Sequence, residues 1–251
     1  MEGYVKTESK DGIGTITFQH PQSNSLPGAI LRKLAECIRM MGSDDTIRVI
    51  ILKSEGEKAF CAGASFDELL SIKNTEEGIY FFSGFAEVIN AMRKTPKFII
   101  ACVQGKAVGG GVGLAASADY ALATMHASVK LSELAVGIGP FVVGPAVERK
   151  IGKAAYVSLS VNATEWKSAE WARQRGLYAE TFETIGEMHD AAYKLATTLA
   201  SSNPEAMRML KNVFWENTDH WDTLLHERAA MSGALVLSEF TANAIRKFKS
   251  S

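Results

Sequence analysis

The chain has 251 residues, 47% hydrophobic and 22% charged, enough for a sizeable core in one large domain or two small ones. Its 27 Lys and Arg against 28 Asp and Glu leave a net charge of −1, which offers no electrostatic case for nucleic acid or an anionic membrane as partner. Cys37, Cys61 and Cys102 are odd in number and widely spaced, which argues against a disulfide framework and for a reducing compartment. The opening MEGYVKTESKDG carries acids and no apolar stretch, and no run approaches the ~20 apolar residues of a membrane span. The expectation is a cytoplasmic protein without a signal peptide.

In chain order, three β-branched runs read as strands: GTITF (14–18), IRVIILK (47–53) and KFIIACV (97–103). Between them Leu31, Leu34, Ala35 and Ile38 recur at helical spacing after Pro27, as do Phe81, Phe85, Val88, Ile89 and Met92 before Pro96. Strands alternating with helices predict an α/β fold whose sheet is buried on both faces. From about Trp166 the composition turns to helix formers, with amphipathic stretches at 187–201, 204–216 and 220–238; SSNPEAM supplies a stop, a cap and a proline for one boundary. No linker or repeat divides the chain, so residues 1–190 are expected to form the core with the active site, and 191–251 a helical region of the same unit.

The segment VQGKAVGGGVGLAASADY (103–120) sets three glycines between a β-branched run and small helix formers. Phosphate loops fail on spacing: a GxGxxG starting at Gly109 meets Leu114, one starting at Gly137 meets Val142, and IGKAA puts Ala154 where a Walker A loop needs Ser or Thr. The hydrolase elbow is absent, because Gly63-Ala64-Ser65-Phe66 continues to Asp67. His20, His126, His189, His220 and His226 show no metal spacing, so no metal site is expected. What remains is a strand-to-helix turn whose free N–H groups face an anion formed during reaction, with glycine admitting the substrate carbonyl. KAFCAGASFDEL (58–69) is a second such turn. Either turn alone also has a purely structural reading. In KLSELAVGIGPFVVGPAVERKIGKAA (130–155), Glu133 precedes the turn Gly137-Ile138-Gly139-Pro140 among few charges, where an apolar cleft would raise its pKa towards neutrality. An exposed strand-end residue is the alternative.

These segments, in this order and spacing, resemble the crotonase superfamily, the enoyl-CoA hydratase/isomerase family, from TITFQHPQSNSL (15–26) to GKAAYVSLSVNATEWKSAEWARQRGLY (152–178). The resemblance implies a spiral of ββα units with a helical C-terminal region that mediates a homotrimer, often doubled to a hexamer. It implies that the N–H groups of Ala64 and Gly110 form an oxyanion hole for a thioester oxygen, so that a side chain at Gly110 would occupy the oxygen's place. Glu133 matches a catalytic glutamate. Ala62, Gly63, Ser65 and Phe66, with Gly109, Gly111 and Gly113, match the substrate-binding backbone, and Lys249 matches a basic residue near the coenzyme A phosphates. Coenzyme A enters as part of the substrate, with no separate cofactor. Two departures matter: Gly113 stands where two-glutamate hydratases have their second glutamate, and Ser65 replaces an aspartate, with Asp67 nearby. Asp119 matches an aspartate on a helix-to-strand turn, with a structural role. One glutamate suits double-bond isomerisation; GGGVGL with LSE and GPFVV also resembles hydratases of branched, carboxylated enoyl-CoAs such as methylglutaconyl-CoA, which leans the reading to hydration. Decarboxylation and thioester hydrolysis would use the same hole, and a non-catalytic acyl-CoA or RNA binder is the reading from another class.

Overall fold

The three sequence-predicted strands each belong to a strand pair followed by a helix, and this unit repeats along the first half of the chain. The computed structural model describes residues 3–249, apart from the side chains of residues 248 and 249. β1 (Tyr4–Lys10) and β2 (Ile13–Gln19) precede α1 (Gly28–Ser43). β3 (Val49–Ser54) and β4 (Ala59–Cys61) precede the short α2 (Phe66–Ser71) and the long α3 (Thr75–Lys94). β5 (Phe98–Val103) and β6 (Lys106–Val108) precede α4 (Gly110–Ser117). β7 (Tyr120–Thr124) and β8 (Ser128–Lys130) lead through a single 3₁₀ turn, Leu134–Val136, to α5 (Gly144–Ile151) and α6 (Lys153–Val161). β9 (Lys167–Ser168), α7 (Ala169–Gln174) and β10 (Glu180–Phe182) complete the sheets. α8 (Ile185–Ala200), α9 (Pro204–Phe214), α10 (Trp221–Leu235) and α11 (Glu239–Lys249) follow.

From the second unit on, the first strand of each pair joins a six-stranded sheet, ordered β1-β2-β3-β5-β7-β10, and the second joins a four-stranded sheet, ordered β4-β6-β8-β9. Among the described residues only β1 with β2 and β8 with β9 pair antiparallel. Each unit therefore advances both sheets by one parallel strand, the expected spiral of ββα units.

The large sheet is covered on both faces, as its continuous apolar strands predict. Alternate residues of β3 face opposite ways: Ile50 and Leu52 join α1, α3, α4 and the small sheet, whereas Val49 and Ile51 meet Met188, Ala192 and Ala196 of α8. α1 has no side-chain cap and relies on burying Leu31, Leu34, Ala35 and Ile38.

The C-terminal helices are used unequally. α10 spends its apolar face inside the chain: Gly233 lies so close to α3 that a Cβ on Gly78 would be 2.8 Å from the Gly233 Cα. α9 is tied down by a buried ion pair, Lys211 Nζ to Asp119 Oδ2 at 2.6 Å, supported by Trp215 Nε1 at 3.1 Å and the Ile99 N–H at 2.7 Å. Asp119 thus pins the α4–β7 turn, the structural role expected of it. α11, which the hydrophobic pattern does not mark, packs on the 3₁₀ turn and α2. Among the described residues no helix is long and apolar enough to cross a membrane.

Candidate active site

Two backbone turns and one carboxylate converge on one largely apolar cleft. The first turn follows β4. Asn24 holds its approach, its Nδ2 donating to Glu55 O at 2.8 Å and Ala59 O at 2.9 Å. The turn then docks on the segment after β2 through Ala62 N to Ser23 O (3.2 Å), Leu26 N to Gly63 O (2.7 Å) and Ser65 N to Leu26 O (3.4 Å). Because Gly63 and Ser65 both bond Leu26 in this isolated parallel bridge, the Ala64 N–H between them points the other way. Among the described residues it has no hydrogen-bond acceptor. Gly63 has φ +85°, and a Cβ there would lie 3.0 Å from Val108 O and 3.6 Å from Gly110 N, which brings the two turns together.

The second turn is the glycine triplet. Gly109, at φ +51°, caps α4, a helix buried along its whole length, and its N–H is held by Lys130 O at 2.9 Å. The Gly110 N–H opens the first turn of α4, where helical N–H groups lack an intrahelical partner. Among the described residues it too has no acceptor. The bare backbone at 110 also answers to a wall: a Cβ there would stand 2.0 Å from Phe85 Cε1, so a side chain at Gly110 would meet the phenyl ring first. Gly111 has a similar task, because a Cβ there would meet Cys61 O at 2.4 Å.

Glu133 ends the segment after β8. Its carbonyl accepts from Val136 N at 3.1 Å and Ile138 N at 2.9 Å, so the 3₁₀ turn fixes its backbone. A Cβ on Gly109 would be 2.8 Å from Glu133 Oε1, which places the carboxylate against the glycine triplet. Oε2 is buried without a hydrogen-bond partner among the described residues, although the residue keeps part of its surface on the cleft. Loss of solvent pushes the carboxyl up to about 7. The exposed strand-end alternative is thereby excluded. Burial pushes the Cys61 thiol up to about 12, so it is no nucleophile at neutral pH.

Of the sequence-predicted residues, Ala62, Gly63, Ala64, Phe66, Gly109, Gly110 and Glu133 line the cleft. Ser65 does not: it is buried and caps α2, its Oγ accepting from Glu68 N at 3.4 Å. Gly111 and Gly113 stand behind the wall. Gly113 is filled by Val143, whose Cγ1 would be 2.5 Å from a Cβ there. The Lys249 side chain lies outside the described residues. Sequence reasoning missed Phe85, Phe141, Val143, Ser132 and Ser232, all on the cleft. Only Ser232 carried a local signal, the small pair Ser232-Gly233 inside a helical pattern, which marks a close helix approach. Among the described residues no three metal-ligating side chains cluster.

A family model described as enoyl-CoA hydratase/isomerase matches residues 8–248. The Bacillus subtilis (strain 168) protein named "Probable enoyl-CoA hydratase" is 29% identical over 206 residues, 82% of this chain and 79% of its own. Mitochondrial methylglutaconyl-CoA hydratase of Rattus norvegicus is 35% identical over 193 residues, 75% of this chain and 60% of the relative. An enoyl-CoA hydratase structure from Bacillus halodurans superposes with TM-score 0.89 over 97% of this chain and 99% of that one, at 21% identity, a likeness of fold. With the matched model spanning nearly the whole chain, the protein belongs to the enoyl-CoA hydratase/isomerase family, a family of enzymes.

Proposed function

We propose that this chain binds the coenzyme A thioester of an unsaturated acid and moves a proton on its acyl chain, with Glu133 as the single acid/base and the Ala64 and Gly110 N–H groups as the oxyanion hole. The observation that carries the reading is a lone, solvent-poor carboxylate set against two unpartnered N–H groups in an otherwise apolar cleft. As base, Glu133 takes a proton from the acyl carbon that flanks the double bond. The electron pair released moves through the conjugated system to the thioester oxygen, which becomes an enolate. Two N–H donors and the α4 dipole stabilise that charge in the low-dielectric cleft, where one such donor is typically worth roughly 3 to 4 kcal/mol. The enolate collapses as Glu133 returns the proton to the other end of the system. An acid near pH 7 has comparable amounts of both forms at neutral pH, which lets one group take and give.

Double-bond migration is the reaction this geometry supports best, because the place of a second acid at position 113 is taken by Val143. Hydration is the second reading, favoured by the 35% identity to a methylglutaconyl-CoA hydratase. There Glu133 would activate water and then protonate the enolate. The two are separated by following the conjugated thioester absorbance with a 3-enoyl-CoA and a 2-enoyl-CoA. Migration makes the first gain absorbance, while hydration makes the second lose it and yields a hydroxyacyl product by mass. Absence of either change across a panel of chain lengths contradicts both.

A further inference from the structure

Phe141 has the acyl cleft on one side and, on the other, an open pocket lined by Glu148, Lys153, Tyr156 and Arg228. Its ring folds back over Gly139, where a Cβ would lie 2.3 Å from Phe141 Cζ, so the partition depends on a bare α-carbon. α10 runs past both chambers. Ser232 lines the cleft, and Arg228 and Leu224, at successive four-residue steps along the same helical face, line the pocket. One turn, about 6 Å of rise, separates Ser232 from Arg228. The Tyr156 hydroxyl spans the boundary, donating to Pro140 O at 3.4 Å. Its pKa is raised chiefly by burial, against a hydrogen bond with Ser160 that lowers it; the charges of Glu133 on one side and Glu148 on the other raise it further, with Arg228 opposing.

The charges of the pocket do not cancel. Arg228 Nη1 rests on Met231 Sδ at 3.4 Å, and among the described residues no carboxylate lies within 4.0 Å of its guanidinium or of Lys153 Nζ. Glu148 is the one acid in the lining. Arg149, also present, is committed elsewhere, donating to Phe214 O at 2.5 Å and lying over the Trp215 ring. A positive guanidinium one helical turn beyond an apolar cleft is placed to meet a negative group at the end of a short aliphatic chain. The charged side chain the cleft itself presents is Glu133, which repels such a group.

Resting on the acyl-CoA reading above, we propose that the preferred substrates carry a second carboxylate at the far end of the acyl chain, with Arg228 as the residue that recognises it and Phe141 as the partition the chain passes. The guanidinium fork matches a carboxylate bidentately, and Lys153 adds charge.

Binding of two saturated thioesters of equal carbon count, hexanoyl-CoA and adipoyl-CoA, measured by titration calorimetry, tests this without turnover. Adipoyl-CoA should bind the wild type at least ~10-fold more tightly, the scale of one charge-assisted hydrogen bond. Arg228→Gln, at a half-exposed site, should bring the two affinities together, and Arg228→Lys should keep part of the difference. Equal affinities in the wild type, or a preference that survives Arg228→Gln, overturn the proposal. If neither thioester binds, the acyl-CoA reading falls with it; if both bind equally, only the carboxylate recognition falls.

Discussion

The role proposed for Glu133 rests on its titration. Unfolded, a glutamate ionises near 4.5; in the cleft it ionises at about 7 because its carboxyl has lost solvent. Between those values the native state holds the proton more tightly than the unfolded chain. The stability this contributes is complete below 4.5 and is lost as pH rises through about 7, a decline of up to about 3 kcal/mol. Gln at this position cannot ionise and should escape the decline. Urea unfolding of the wild type and Glu133→Gln should therefore diverge in the variant's favour from pH 5 to pH 8; a constant gap between the two proteins would show that Glu133 does not titrate in that range. That Glu133, Ala64 and Gly110 meet at one cleft was legible in the sequence, because glycine and small residues mark turns where backbone must come close, and a lone acid among apolar residues stands out. The side chain of Ser65 was less legible, because a turn serine serves equally as a helix cap, the use its bond from Glu68 N gives it.

Among elements, the strand pairs β3–β4 and β5–β6 do what alternation and glycine placement imply, whereas the packing around α4 could not be read locally. Phe85 lies 25 positions before Gly110, and Val143 lies 30 positions after Gly113, yet each fills the space its glycine leaves. Such contacts are set by how helices cross, which periodicity does not encode. They change what a substitution means. Gly113→Glu alone overpacks the wall against Val143, an error that typically costs ~1–3 kcal/mol. Thermal unfolding should show a lowered midpoint for Gly113→Glu and recovery in Gly113→Glu/Val143→Gly, and hydration of a crotonyl thioester should rise only in the double variant. An undisturbed midpoint in the single variant would mean that Val143 does not occupy that space. α11 was not singled out, although Ile245 is buried in the main core and Thr241 Oγ1 donates to Gly137 O at 3.2 Å, beside the turn that carries Glu133.

At the scale of the molecule, the expectation that the 204–216 and 220–238 helices both bury apolar faces between subunits divides. α10 spends its face on α3, whereas α9 leaves Met209, Leu210, Val213 and Phe214 about half exposed in one stripe. We propose that α9 supplies the homotrimer contact that the family resemblance implies. Light scattering should give three or six copies for the wild type and a smaller species for Leu210→Glu; a monomer at micromolar concentration contradicts this. The spiral brings a turn after β4, a turn after β6 and the segment after β8 to one cleft, where we propose that a single residue, Glu133, transfers the proton. That claim is tested most directly by incubating an acyl-CoA bound by both proteins in deuterated water with the wild type or Glu133→Gln and following deuterium in the acyl chain by mass spectrometry. Uptake should be rapid with the wild type and at least ~10²-fold slower with the variant, the usual worth of a general acid–base group; equal uptake by the two would show that another group moves the proton.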